Sequence, residues 1–465
     1  MPRLLTLAAT LLAVFTLEAA EPSAARFNAG DTICFVGDSI THNGRWHRYV
    51  RTFYATRFPT ARFTTYNCGI SGDTASGALR RFAEDIAIHK PNVAVVMFGM
   101  NDVGRNNYGP EKTTPADRAK QDRALTNYTA NQEKLATRLK ELGARLILVT
   151  PSPYDQTGRQ ADKSLVGVNE ALGRCGGIVR DLAGRFQAGL VDFHEPMTRL
   201  NLAGQDKDPA FTLIGKDRIH PGDMGHMVMA YQFLTSQGVG ATISTMVVDA
   251  STATVREAAN CTIGIITVTG RSLSFEVQGN ALPFPIIGEA RKALDLVPLE
   301  KDLNQQVLRV AGLPPGSYEV VIDGTVVTST DASTLANGLN LAMQTTTPDY
   351  RQALEVAAAC ERGATKEAEL RTVMAVRHFR LSKEPGLNLN DAAAVERVLA
   401  GAEADLRKNN NSYGLWQIDQ YRKNHGRLDV MRKEADQEYA AMWAAAVPKP
   451  RHYLVRPTTT PGQRP

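Results

Sequence analysis

Cysteine is scarce in this chain: five residues (Cys34, Cys68, Cys175, Cys261 and Cys360) in 465. They are scattered and odd in number, which excludes a disulfide-built scaffold. Cys34 and Cys68 fall in apparent strands and read as small core residues rather than reactive thiols. No group of His, Cys and carboxylate residues has metal-ligand spacing, and no glycine-rich nucleotide fingerprint occurs, so neither a metal nor another cofactor is expected. An excess of one charge is also missing. Lys and Arg number 53 against 48 Asp and Glu, a net charge of +5, which gives no field for a nucleic-acid partner.

Long hydrophobic runs are absent except at the start. Arg3 precedes an almost wholly apolar stretch, Leu4 to Leu17, followed by Ala19, Ala20 and the polar Glu21-Pro22. That order reads as a secretory signal peptide over 1–20, with Glu18 leaving the cut position open. The run is too short for a comfortable membrane span, so no stable span is expected after its removal. No cysteine follows it for lipid attachment. An exported protein, periplasmic or extracellular, is the expectation. The sequence leaves the oligomeric state open.

What is present is ordinary globular composition, 43% hydrophobic and 22% charged, over a length sufficient for two or three domains. From Asp31 to about Gly238 strands and helices alternate. The strand candidates are Ile33–Val36, Phe63–Asn67, Val93–Phe98, Leu146–Thr150 and Leu190–Asp192. They are short apolar runs without polar alternation, as in strands covered on both faces. Trp46, Val50 and Phe53 share one helical stripe, as do Leu79, Phe82 and Ile86. Further helices are expected near Asp117–Leu142, Leu165–Phe186 and Gly222–Ser236. The pattern predicts an α/β domain over 26–238, a parallel sheet between helical layers.

The character changes near Val239. Thr262–Thr269, Ser272–Val277, Val307–Val310 and Tyr318–Val327 are strand-like, the last a hairpin turning at Asp323-Gly324. They predict a small antiparallel β-domain at 243–330, with Leu282 to Pro298 as loops. Helices are expected over Ser333–Met343, Asp349–His378, Asp391–Lys408 and Ser412–Ala445, a helical region at 331–447. The basic, proline-rich tail at 448–465 is expected to be mobile.

Chemistry concentrates in four short blocks: Gly37-Asp38-Ser39-Ile40, then Asn67-Cys68-Gly69-Ile70-Ser71-Gly72-Asp73-Thr74, then Phe98-Gly99-Met100-Asn101-Asp102, and finally Asp217-Arg218-Ile219-His220-Pro221. The first three follow predicted strands, at the sheet edge where α/β proteins place their chemistry. In this order they resemble the conserved blocks of the SGNH/GDSL hydrolase family, with Ile40 standing where the family name has leucine. The resemblance covers about 31–238. It implies a three-layer α/β/α, flavodoxin-like catalytic domain and a serine ester hydrolase. By position it implies Ser39 as nucleophile, His220 as general base and Asp217 as the carboxylate that orients the imidazole. It implies an oxyanion hole made by the N–H groups of Ser39 and Gly72 with the side-chain amide of Asn101.

These residue types suit the reaction. A serine hydroxyl attacks only when a neighbouring base takes its proton, and histidine does so near neutral pH and returns it to the leaving alcohol. A carboxylate on the other ring nitrogen fixes the tautomer. Asp38, His42, Asp102 and Tyr108, close to the blocks in sequence, are candidate substrate contacts. Asn43, Arg45 and Arg105 are further neighbours, and His226 is expected to lie along the following helix rather than act as a second base. The family resemblance leaves several substrates open: acetylated carbohydrate, simple esters, thioesters and lysophospholipids. Export and the lack of a strongly apolar lid favour a short acyl group on a carbohydrate. The rival class is a glycan-binding protein whose function lies in the C-terminal half, and Asn337-Gly338-Leu339-Asn340 is a candidate loop beside the pocket.

Overall fold

Five short strands assemble the first sheet. The computed structural model describes residues 23–458, so the signal segment expected over 1–20 lies outside the described residues. The strands are β1 (Thr32–Gly37), β2 (Thr64–Gly69), β3 (Val93–Met97), β4 (Arg145–Val149) and β5 (Gly189–Val191). All pair in parallel, in the order β2-β1-β3-β4-β5. The central β3 is buried along its whole length, which requires cover on both faces. That cover comes from α1 (Ser39–Asn43), α2 (Arg45–Arg57), α3 (Ala75–Arg80), α4 (Phe82–Asp85), α5 (Pro115–Glu141), α6 (Val168–Phe186), α7 (His194–Gln205) and α8 (Asp223–Ser236). Strand order reverses between β1 and β3, and such switch points open a crevice at the carboxyl ends of the strands.

The β region holds more strands than the sequence reading found. It contains β6 (Thr242–Asp249), β7 (Thr254–Ala259), β8 (Cys261–Ile263), β9 (Thr267–Thr269) and β10 (Ser272–Gly279). After α9 (Leu299–Leu303) come β11 (Gln305–Ala311), β12 (Ser317–Ile322) and β13 (Thr325–Asp331), then α10 (Ala332–Asn337) and β14 (Leu339–Asn340). Asp323 and Gly324, at φ 48° and 77°, supply the two left-handed residues of the β12–β13 turn. β14-β11-β6-β7 form one sheet, antiparallel apart from the parallel β6–β11 pair. Where a helix was expected over Ser333–Met343, the chain makes only the short α10 before entering β14. Leu282, Phe284 and Ile286 run without regular structure into the catalytic core, as loops with a 3-10 segment at Gly288–Asp295 behind them.

Four helices follow: α11 (Pro348–Phe379), α12 (Ala392–Lys408), α13 (Ser412–Asn424) and α14 (Leu428–Ala445). The stretch read as one helix over Ser412–Ala445 is broken between α13 and α14 by a 3-10 turn at His425–Arg427. The tail expected to be mobile from Pro448 is corrected by β15 (Arg451–Pro457). This strand lies inside the second β-sheet, between β12 and β10, and Tyr453 and Val455 fill its core. Removal of those two apolar side chains from water, and hydrogen bonding along both edges, outweigh the local preference of a proline-flanked basic segment.

The 32-residue α11 joins the regions. Ala353, Val356, Ala359 and Cys360 enter the same core as the parallel sheet. A buried ionic layer continues the contact. Arg371 donates through both guanidinium nitrogens to Asp85 at 2.5 Å and through Nε to the Gly69 carbonyl at 3.0 Å. One turn earlier, Glu367 pairs with Arg51 at 3.2 Å and accepts from the Tyr439 hydroxyl of α14. Buried charges of this kind are tolerated only when partnered, so the layer fixes where α11 sits against β2 and α2.

Candidate active site

β1 ends at Gly37, and α1 begins two residues later. A Cβ at Gly37 would stand 2.7 Å from the Met97 carbonyl oxygen, and one at Gly69 would stand 2.3 Å from the His42 backbone nitrogen. Glycine at both positions therefore lets α1 settle directly onto the strand ends. Asp38 caps α1, its carboxylate accepting the Ile40 N–H at 3.0 Å. Ser39 is thus the first residue of the helix, with its hydroxyl at the crevice.

His220 arrives on a turn just before α8. Its Nε2 lies 2.7 Å from Ser39 Oγ, and its Nδ1 donates to Asp217 Oδ2 at 2.5 Å. The other Asp217 oxygen accepts the backbone N–H groups of Ile219 and His220 at 3.0 Å each. Burial by itself would raise the Asp217 carboxyl, but the His220 side chain and these backbone N–H groups outweigh it and hold it well below the usual carboxylate range. The turn is anchored by Arg218, a buried residue at φ 65° whose guanidinium bonds the carbonyls of Asp155 and Gly158 at 2.9 Å. Sequence reading passed over Arg218. A basic residue between Asp217 and His220 carries no signal of what it holds.

The oxyanion candidates meet at the same place. Gly72 has φ +84°, the left-handed region that glycine enters without strain, and it lines the cavity with Ser39 and Asn101. The Asn101 amide is oriented from both ends: Nδ2 donates to the Asp73 carbonyl at 2.8 Å, and Oδ1 accepts from Arg105 at 2.9 Å. Its second N–H is left for a ligand. His42 supports the Gly72 loop. Burial, reinforced by the nearby Arg371 charge, pushes its imidazole down to about 4, so it is neutral and Nδ1 accepts the Ser71 N–H at 3.1 Å.

Three of the four candidate substrate contacts are elsewhere. Asp38 is buried under its capping role, and burial raises its carboxyl to about 6 despite the Ile40 hydrogen bond. Asp102 accepts the N–H groups of Ala75 at 2.9 Å and Gly99 at 3.1 Å, fastening the second and third blocks together, and burial raises it to about 7. Tyr108 is buried against Gly167. None of the three lines the cavity over Ser39, whereas His42, Asn43 and Arg105 do. Short carboxylates near a glycine turn satisfy backbone N–H groups first, and this removes them from the solvent face. His226 is buried in α8 and does not line the cavity, and Arg45 pairs with Asp223. Asn340, from the loop considered for the pocket, instead bonds Gln306 and Glu300 within the β region.

The cavity over Ser39 holds about 840 Å³. Its floor is the first-domain set of Ser39, Gly72, Asn101 and His220. Its walls come from α11, through Thr365, Ala368, Glu369 and Thr372, and from α13, through Tyr413, Trp416, Gln417 and Gln420. No sequence signal marked these helices as part of the site. Among the described residues no group of three or more His, Cys, Asp or Glu side chains could hold a metal ion.

A doubly wound parallel sheet with a hydrogen-bonded serine, histidine and carboxylate at its carboxyl edge defines a class of acyl-transfer hydrolases. The chain belongs to the GDSL-like lipase/acylhydrolase, or SGNH hydrolase, family, whose model matches residues 35–228, and it is a carboxylic ester hydrolase. Over the whole chain it is similar to a solved gut microbial diltiazem-metabolizing enzyme: 32% identity, 94% of this chain and 99% of the other covered, TM-score 0.86. That likeness extends to the β and helical regions. An acetylxylan esterase of Geobacillus stearothermophilus is 27% identical over 46% of this chain and 96% of its own length.

Proposed function

We propose that this esterase removes acetyl or other short acyl groups from carbohydrate through a covalent acyl-serine at Ser39. The observation that carries the chemistry is the continuous chain of hydrogen bonds from Ser39 through His220 to Asp217 at the foot of an open cavity. In this reading Nε2 of His220 takes the Ser39 proton as Oγ adds to the ester carbonyl. The oxyanion that forms is met by the N–H groups of Ser39 and Gly72 and by Asn101. Collapse of the adduct breaks the bond to the leaving alcohol, which receives the proton from His220. Water then repeats the sequence on the acyl-serine, releasing the acid and restoring Ser39. The carboxylate of Asp217 stabilises the imidazolium that exists between the two proton transfers.

The carbohydrate reading draws support from the acetylxylan esterase relative and from the mixed lining of the cavity, which holds amides, hydroxyls and aromatic rings beside the charged Arg105, Glu369 and Arg380. The signal-like start of the chain favours export as its setting. A second reading, a small ring-bearing ester as substrate, draws on the full-length diltiazem-metabolizing relative. Acetate release from a panel of acetylated xylo-oligosaccharides, compared between wild type and Ser39→Ala, tests the first. Release abolished in the variant supports it. No release by wild type, alongside good turnover of aryl acetates, favours the second. A p-nitrophenyl ester series checks the acyl part, and a preference for long chains would refute the short-acyl assignment.

A further inference from the structure

Three tryptophans occur in the chain. Trp46 and Trp443 lie in the main core at 1% and 6% exposure, whereas Trp416 is 47% exposed. Leaving a tryptophan half in water forfeits much of its burial energy, and Trp416 does so on the wall of the Ser39 cavity. Tyr413, 50% exposed, stacks beside it with ring centroids 5.6 Å apart and planes 26° from parallel.

The helix that carries them is fixed. On its packed side Gly414, Ile418 and Tyr421 are buried, and a Cβ at Gly414 would stand 2.5 Å from a Leu406 methyl of α12. Tyr413, Trp416, Gln417 and Gln420 follow the i, i+3, i+4, i+7 spacing and form one stripe, all of it lining the cavity. Across the cavity Thr365, Ala368, Glu369 and Thr372 of α11 repeat that spacing. The spacing puts each set on one face of its helix, and the two largely polar faces enclose a trough above the catalytic serine.

We propose that Tyr413 and Trp416 form a stacking subsite for the neutral sugar ring that bears the scissile ester. The rings offer a flat face to the apolar C–H side of a pyranose, and the neutral amides of Gln417 and Gln420 offer donors and acceptors to its hydroxyls. This deepens the carbohydrate-esterase reading and rests on it for the identity of the ring. The subsite belongs to the C-terminal helices, so the catalytic domain supplies the reaction and α13 selects the alcohol part.

The test uses the full chain and compares wild type with Trp416→Ala, Tyr413→Ala and the conservative Trp416→Phe. On acetylated xylo-oligosaccharide each alanine variant should raise KM about tenfold, the scale of one aromatic stacking contact, with much less change in kcat. The ratio of kcat/KM on the oligosaccharide to that on ethyl acetate, which has no ring, should fall by a similar factor, and Trp416→Phe should recover most of it. A second arm titrates Ser39→Ala with unacetylated xylo-oligosaccharide and reads tryptophan fluorescence, which should respond there and not when Trp416→Phe is added. An unaltered substrate ratio in both alanine variants would overturn the subsite and leave the carbohydrate reading standing. Saturable binding through Trp416 without deacetylation would do the reverse. Equal losses on both substrates would also overturn the proposal, since they would mark the pair as structural.

Discussion

Arg371 offers a sharp test of whether the helical region holds the catalytic loops in place. It is 1% exposed and carries two 2.5 Å bonds to Asp85 and one of 3.0 Å to the Gly69 carbonyl, three residues before Gly72. Arg371→Met keeps most of the side-chain volume and removes the charge. Breaking a buried pair from one side costs roughly 3–5 kcal/mol. Here Arg81 still reaches Asp85 at 2.5 Å but must also serve Asp73 at 2.8 Å, which places the loss near the lower end, about 3 kcal/mol. At about 2 °C per kcal/mol for a large domain, Tm should fall by about 6 °C.

The loss should also depend on pH. In the wild type burial would raise the Asp85 carboxyl, but Arg371 and then Arg81 outweigh it and hold it below its ordinary value. With Arg371 gone, Asp85 keeps only Arg81, which it shares with Asp73, while His378 still bonds Asp73 at 3.2 Å; the cheapest response at Asp85 is to bind a proton. A carboxyl whose folded pKa is raised contributes stability at low pH that is lost as pH rises through that value. The deficit relative to wild type should therefore be larger at pH 8 than at pH 5. Thermal unfolding followed at both values, with kcat measured beside it, checks the argument. Arg371→Lys should fall between, keeping the charge without the fork. A Tm within 1 °C of wild type at pH 8, with kcat intact, would refute the idea that this layer positions the site.

Other expectations are direct. Asn101→Ala should lower kcat by about 10²–10³-fold with the thermal transition little changed, and near-normal turnover would remove Asn101 from the oxyanion hole. Asp38 and Asp102, raised by burial to about 6 and about 7, contribute stability that is lost as pH rises through those values. Asp102→Asn should therefore gain Tm relative to wild type as pH rises from 5 to 8; an unchanged difference would contradict the buried-carboxyl origin. Ending the chain after Val447 deletes β15 and exposes the facing edges of β10 and β12, so the product should be insoluble or lose the β-region transition in calorimetry.

The catalytic sheet was legible because β1, β3 and β4 are nearly continuous apolar runs and the first three blocks each adjoin a strand end. Ser39, Asp217 and His220 were found through the resemblance of the four blocks to the SGNH/GDSL family, and the structure joins Ser39 to His220 across 181 residues of chain. Legibility failed where one local pattern serves two ends. The stripe at Thr365, Ala368, Glu369 and Thr372 announces a helix face without saying what it faces. β15 is seven residues long, and its partners β10 and β12 are far away in sequence, so neither pairing leaves a mark near Tyr453. Asp38 and Asp102 misled through proximity: nearness to Ser39 and to Asn101 in sequence gave them the air of substrate contacts, while nearby backbone N–H groups had first claim on their oxygens.

The central claim is that Ser39 carries the acyl group, activated by His220 and Asp217. Peptide mapping by mass spectrometry after reaction with a fluorophosphonate tests it most directly. The account predicts a single adduct on Ser39, formed far more slowly in His220→Ala and absent from Ser39→Ala, which should also lose ester hydrolysis. An adduct on another residue with Ser39 unmodified, or full hydrolysis by Ser39→Ala, would contradict it.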